Sequence, residues 1–256
     1  VYSKRVQSAT TKFNDFITKN HTVVNAHMRI LYQIFNLLEA NNIIEEDKIV
    51  YAKILRGQLS DEELILIRYN CLTQRGNNMQ RPVFHYNILK HIPLLELFEF
   101  QKYRRILTAN QTSLLNGELT VFRKEICSLF RRLSEGDKTI TPKEYAKRYT
   151  VCMSLSKDNK HYSMTVTKTP KLPGRCYQPL VPVFDKFDDD IFEDFLFDFH
   201  TEIFKHSHFR LYNRDSNFKI THVRGTSGAN TVFTIKVVNI NPIIVSYFQI
   251  QNPSGI

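Results

Sequence analysis

Hydrophobic spacing changes near residue 147 of this chain, and that change limits the folds open to it. Upstream, apolar residues recur at three- and four-residue steps, as in Phe13, Phe16, Ile17, Val24, Met28, Leu31, Ile34, Phe35 and Leu38. That period lays them along one stripe of a helix. Downstream, Tyr149–Leu155 and His161–Thr167 alternate and are rich in Val, Thr, Tyr and Met, the pattern of half-buried strands. The fold class expected is α+β. A helical bundle occupies 1–147, and a smaller domain over 148–256 combines antiparallel strands with one acidic amphipathic helix. A chain of 256 residues is long enough for one large or two ordinary domains.

In detail, the pattern predicts one long helix over 10–40, closed by Asn41-Asn42, and a second over about 45–55. Ser60 and Glu63 form a capping box that opens a third. Gly76-Asn77-Asn78 reads as a turn, followed by short helices at 82–91 and 93–108 and a longer one at 114–134. Thr141-Pro142-Lys143-Glu144 resembles the cap and first turn of a short helix. A hairpin follows, turning over 156–160, then an irregular segment at 169–183 with four prolines. The acidic helix is expected at 188–206 and further strands near 217–223, 231–238 and 243–250, with 225–230 as a connecting turn.

The formal charge of +10 favours acidic partners: nucleic acid, an anionic membrane surface or an acidic protein. Cys71, Cys127, Cys152 and Cys176 show no C-x-x-C pair and no zinc spacing, so reduced thiols of a cytoplasmic protein are expected. No run of about 18 apolar residues is present, so no membrane span is expected in this chain. The chain begins at Val1, which leaves room for an anchor upstream. No cofactor is implied.

Arg123, Lys124, Arg131 and Arg132 are candidate phosphate contacts on the 114–134 helix, against the favoured reading of a solvated helix face. Asp190, Asp194, Asp198, Glu202 and His206 recur at four-residue steps. Of these, Asp194, Asp198, Glu202 and His206 are weak candidate metal ligands, against a solvated acidic face or a dock onto the basic helices. His200, His206 and His208 read as surface histidines. A ribonuclease of the HEPN type needs Arg, four to six residues, then His; Arg81 and His85 have three between them. Gly225-Thr226-Ser227-Gly228 lacks the frame of a nucleophile turn or phosphate loop.

The stretch Tyr51–Asn70 has Tyr51, then Arg56-Gly57-Gln58-Leu59-Ser60, Glu63-Leu64 and Tyr69-Asn70. Arg29-Ile30-Leu31-Tyr32 lies upstream and Tyr86-Asn87-Ile88-Leu89-Lys90-His91 downstream. Together, over about 25–95, these resemble the putative phage abortive infection protein family, related by name to lactococcal AbiC. The resemblance implies a bacterial anti-phage role. It also implies, for many relatives, N-terminal membrane helices, and hence a membrane-associated protein if an anchor precedes Val1. Ser60 as a cap and Gln58 in a helix–helix turn suit a folding motif. Arg29, Arg56, Tyr69, Asn70 and His85 are the weak catalytic candidates, as a polar cluster between helices. The leading expectation is a sensing or interaction module, with homo-oligomerisation as one mode of assembly. The alternatives are a divergent HEPN-like RNA-cleaving effector and a membrane-disrupting effector anchored outside this chain.

Overall fold

A computed structural model describes residues 2–40, 42–132, 139–145, 149–156, 160–170, 183–214, 217–244 and 247. It is α+β, as the two hydrophobic periods require. The chain forms two compact units, Val1–Lys102 and Tyr103–Ile256. The change of period at 147 therefore lies inside the second unit, which includes the last long helix of the front half.

The first unit opens with α1 (Tyr2–Lys19) and α2 (His21–Leu38). The single helix expected over 10–40 is thus two. At the break, both the backbone N–H and the side-chain amide of Asn20 donate to the Phe16 carbonyl, each at 3.0 Å. Such local side-chain bonding competes with helix continuation. Tyr2, Val6, Ala9, Phe13 and Ile17 form the buried stripe of α1. Next come α3 (Glu45–Gln58) and α4 (Asp61–Leu72). Ser60 and Glu63 close the expected capping box, at 3.2 Å and 2.8 Å.

From Thr73 to Phe100 the chain folds as short pieces: α5 (Gln80–His85) and 3₁₀ turns at Asn77–Met79, Ile88–His91, Leu94–Glu96 and Phe98–Phe100. Two helices were expected over most of this stretch. Asn87 takes a left-handed conformation (φ 51°), and Ile92 is held extended before Pro93; each ends helical progress. Buried Val83, Phe84, Tyr86, Ile88, Leu89, Ile92, Leu94, Leu95 and Leu97 make this irregular stretch the core of the unit.

α6 (Gln101–Arg104) leads to α7 (Ala109–Arg132), and a five-stranded antiparallel sheet follows in the order β1-β2-β3-β5-β4. The strands are β1 (Thr139–Tyr145), β2 (Tyr149–Leu155), β3 (His161–Lys168), β4 (Lys219–Ser227) and β5 (Asn230–Val238). β1 replaces the helical turn expected at 141–144; pairing with β2 overrides the local cap signal, and the register slips between Ile140 and Lys143, beside Pro142. Val151 pairs with Val166, and Val166 with Phe233, so the buried residues of three strands share one face. α8 (Asp189–Thr201) covers this face, with Phe192 4.9 Å from the Phe233 ring. α7 lies on it too, with Phe130 stacked 6.4 Å from Tyr162. A 3₁₀ turn (Val183–Lys186) precedes α8, and a π-turn (Glu202–His206) and α9 (Arg210–Asn213) follow it.

The turn between β4 and β5 shrinks to Gly228-Ala229, because Gly225–Ser227 belong to β4. Gly228 has φ 61°, and Ala229 is not left-handed, as a type II′ hairpin requires. The strand expected at 243–250 is not formed by its described residues, since 243, 244 and 247 are helical. The segment expected to be irregular lies largely outside the described residues. Among the described residues, no helix is long and apolar enough to cross a membrane.

Candidate functional site

Among the described residues, two clefts open on the first unit. The larger, about 430 Å³, is lined by Asn25, Met28, Arg29 and Tyr32 of α2, by Asn70 of α4, and by Arg75, Asn78 and Met79. α2 turns Met28 inward, which leaves Arg29 exposed and Tyr32 half-buried along the rim. The opposite wall is a tight loop. Thr73 Oγ1 donates to the Asn70 carbonyl at 2.7 Å and accepts from the Gly76 N–H at 3.0 Å. This curls residues 73–79 back over Asn70 and sets Arg75 and Asn78 at the surface. Asn70 is 9% exposed, and its amide nitrogen lies 3.3 Å from the Met79 sulfur. The smaller cleft, about 290 Å³, is lined by Arg5, Ser8, Ala9, Lys12, Phe98 and Gln101.

Of the five catalytic candidates, Arg29 and Asn70 meet in the larger cleft, and the other three hold other contacts. Arg56 donates to the carbonyls of Asn87 (3.2 Å) and Tyr86 (3.5 Å), pinning α3 to the left-handed turn. Tyr69 donates to Glu99 at 2.6 Å and accepts from the Phe98 N–H at 3.0 Å. Burial pushes its phenol well above the ordinary value, Arg68 opposing and Glu99 adding to the shift. His85 Nε2 lies 3.2 Å from the Glu45 carboxylate. Sequence reasoning missed Arg68 and Glu99, a fully buried ion pair at 3.3 Å. Arg68 is the one charge in the apolar run Leu64–Leu72, and Glu99 is flanked by Phe98 and Phe100; that was the available signal.

The second unit corrects several surface assignments. Arg123 is not on the solvated face of α7: it is 3% exposed, within the stripe of Leu115, Leu119, Phe122 and Ile126. Burial pulls its guanidinium down to about 10, opposed by Cys127 and Glu202. Lys124 and Arg131 are exposed and Arg132 half-buried. The acidic stripe is not one face either. Four-residue steps advance about 40° beyond each full turn, so the row spirals inward. Asp190 and Asp194 are exposed, whereas Asp198, Glu202 and His206 are buried. Asp198 accepts from the Tyr103 hydroxyl. The outer acids pair with sheet residues: Asp190 with Arg224 (2.6 Å), Glu193 with His222 (2.6 Å) and Asp189 with Lys168 (2.7 Å). Among the described residues, no group of three or more His, Cys, Asp and Glu could hold a metal.

His200, His206 and His208 are likewise buried, not at the surface. His208 Nε2 lies 3.0 Å from Cys127 Sγ. His200 Nδ1–H donates to the Leu196 carbonyl at 2.7 Å, so its Nε2 accepts from the Tyr162 hydroxyl at 3.2 Å. Both contacts suit a neutral ring, and burial pulls its pKa from 6.5 to about 4. Between those values the unfolded chain binds a proton that the native chain refuses, so stability falls as pH drops through the window. The loss by pH 4 is about 3 kcal/mol. Urea unfolding from pH 7.5 to 4 should show it, and His200→Gln should flatten the profile. Equal pH dependence in both proteins would refute the assignment.

Comparison with known families bears on the larger cleft. Residues 19–97 match the family described as Putative phage abortive infection protein. All eight residues lining the larger cleft fall inside this abortive-infection segment, and those lining the smaller one all fall outside it. The match supports a role in abortive infection of phage. Arg56 and the Tyr86-Asn87 turn, distant parts of the segment, meet in one hydrogen-bonded contact. No curated protein and no solved structure matches the chain.

Proposed function

We propose that this chain serves abortive infection as a sensing module, with the larger cleft as its recognition element. One observation carries the reading: the abortive-infection segment supplies the entire lining of that cleft. The lining's chemistry fits holding a partner. It offers two guanidinium groups, three carboxamides and a phenol, with no histidine or carboxylate to exchange protons near neutral pH. The net charge of +10 fits an acidic phage or host component as what is sensed. The HEPN-like reading loses support, because Arg56, Tyr69 and His85 are each engaged elsewhere in the helical packing.

The test is a plaque assay on bacteria carrying the gene. Arg29 and Arg75 are exposed, so replacing both with Ala should leave folding intact. Plating efficiency on the double variant should approach that on cells lacking the gene. Full protection by a normally expressed double variant would remove the cleft from the defence function.

A further inference from the structure

Arg29 and Arg75 differ from the other arginines described in this unit's ion pairs. Arg68 is matched by Glu99 and Arg81 by Glu39. Among the described residues, neither Arg29 nor Arg75 has an ion-pair partner, and no acid lines the cleft they share. Two arginines, one from α2 and one from the 73–79 loop, thus line one concavity that no carboxylate lines. Asn25 and Asn78 add amide donors and Tyr32 a hydroxyl. Asn70, nine-tenths buried, spends one of its two amide N–H donors on the thioether of Met79, a weak acceptor. A stronger acceptor entering the cleft would take that donor at little loss.

We propose that this cleft binds a phosphomonoester, the terminal phosphate of a nucleotide-sized molecule. The proposal rests on the cleft being the sensing element and names its ligand class. A phosphomonoester carries about −1.5 to −2 charges at neutral pH and three strong acceptor oxygens. That matches two guanidinium forks, which pair with phosphate oxygens two at a time. A phosphodiester carries a single charge and would leave one arginine unanswered. The volume, about 430 Å³, is within the range of small-molecule sites and exceeds what a phosphate alone fills. Met28 and Met79, both buried, and the ring of Tyr32 give the remaining space apolar walls for the esterified group. The phosphate could belong to a free nucleotide or to the 5′ end of a short nucleic acid, since the recognised chemistry is the same.

Isothermal titration of the full chain with adenosine 5′-monophosphate, adenosine, and a trinucleotide with and without its 5′ phosphate tests this. The monophosphate should bind and adenosine should not. Arg29→Ala and Arg75→Ala should each weaken binding about tenfold or more, as expected for a charged hydrogen bond. Arg81→Ala, outside the cleft, should leave affinity unchanged. Binding only by the 5′-phosphorylated trinucleotide supports the proposal and identifies a nucleic-acid end as the source. Equal binding with and without the terminal phosphate, wild-type affinity in both arginine variants, or no binding by either phosphorylated probe overturns it. Failure here with loss of plaque protection in the double variant would leave the sensing reading intact with another ligand. Phosphate binding without loss of protection would do the reverse.

Discussion

Glu99→Gln should cost the first unit about 3–5 kcal/mol, the range for leaving a buried charge without its partner. Arg68 and Glu99 are both fully buried, 3.3 Å apart. Glu99 also accepts from Tyr69, whose oxygen in turn holds the Phe98 N–H. Gln keeps the shape and can still accept from Tyr69, but it cannot neutralise a fully buried guanidinium. A loss of that size is a large part of the 5–15 kcal/mol typical of a whole domain. Faster hydrogen exchange in α4 and an earlier unfolding transition would report it. Adding Arg68→Met removes the stranded charge, so the double variant should recover much of the loss. If Glu99→Gln unfolds at the wild-type midpoint, the pair does not hold this unit together.

Gly76→Ala should be nearly as damaging, for a steric reason. A Cβ at Gly76 would sit 2.0 Å from the Asn70 carbonyl oxygen and 2.6 Å from its amide nitrogen. The first of these is backbone, and it accepts from both the Thr73 hydroxyl (2.7 Å) and the Thr73 N–H (3.0 Å). The loop must then open, at a cost of about 3 kcal/mol or more. Arg75, Asn78 and Met79 would move with it, so the cleft should fail even if the unit stays folded. Gly57, in α3, has open space where its Cβ would be, and Gly57→Ala should be neutral or slightly stabilising. Equal midpoints for the two alanine variants in urea unfolding would refute the close-contact argument.

Tight contacts of this kind mark the limit of what was legible in the sequence. The α+β class, the Ser60–Glu63 box, the β2–β3 hairpin and the acidic helix all follow from spacing or caps a few residues long. Arg29 and Asn70 could be singled out, but their meeting could not, since 41 positions separate them and the 73–79 loop brings in Arg75 and Asn78. β1 went unseen because a strand's partner can outweigh its local cap and proline signals. Arg123 and Glu202 were both placed on outward-facing sides of their helices for one shared reason. A charge pays for burial only when its partner is present, and partners lie far apart along the chain. Local chemistry thus determined the elements of this protein, and long-range packing decided which of its charges face inward and which line the cleft.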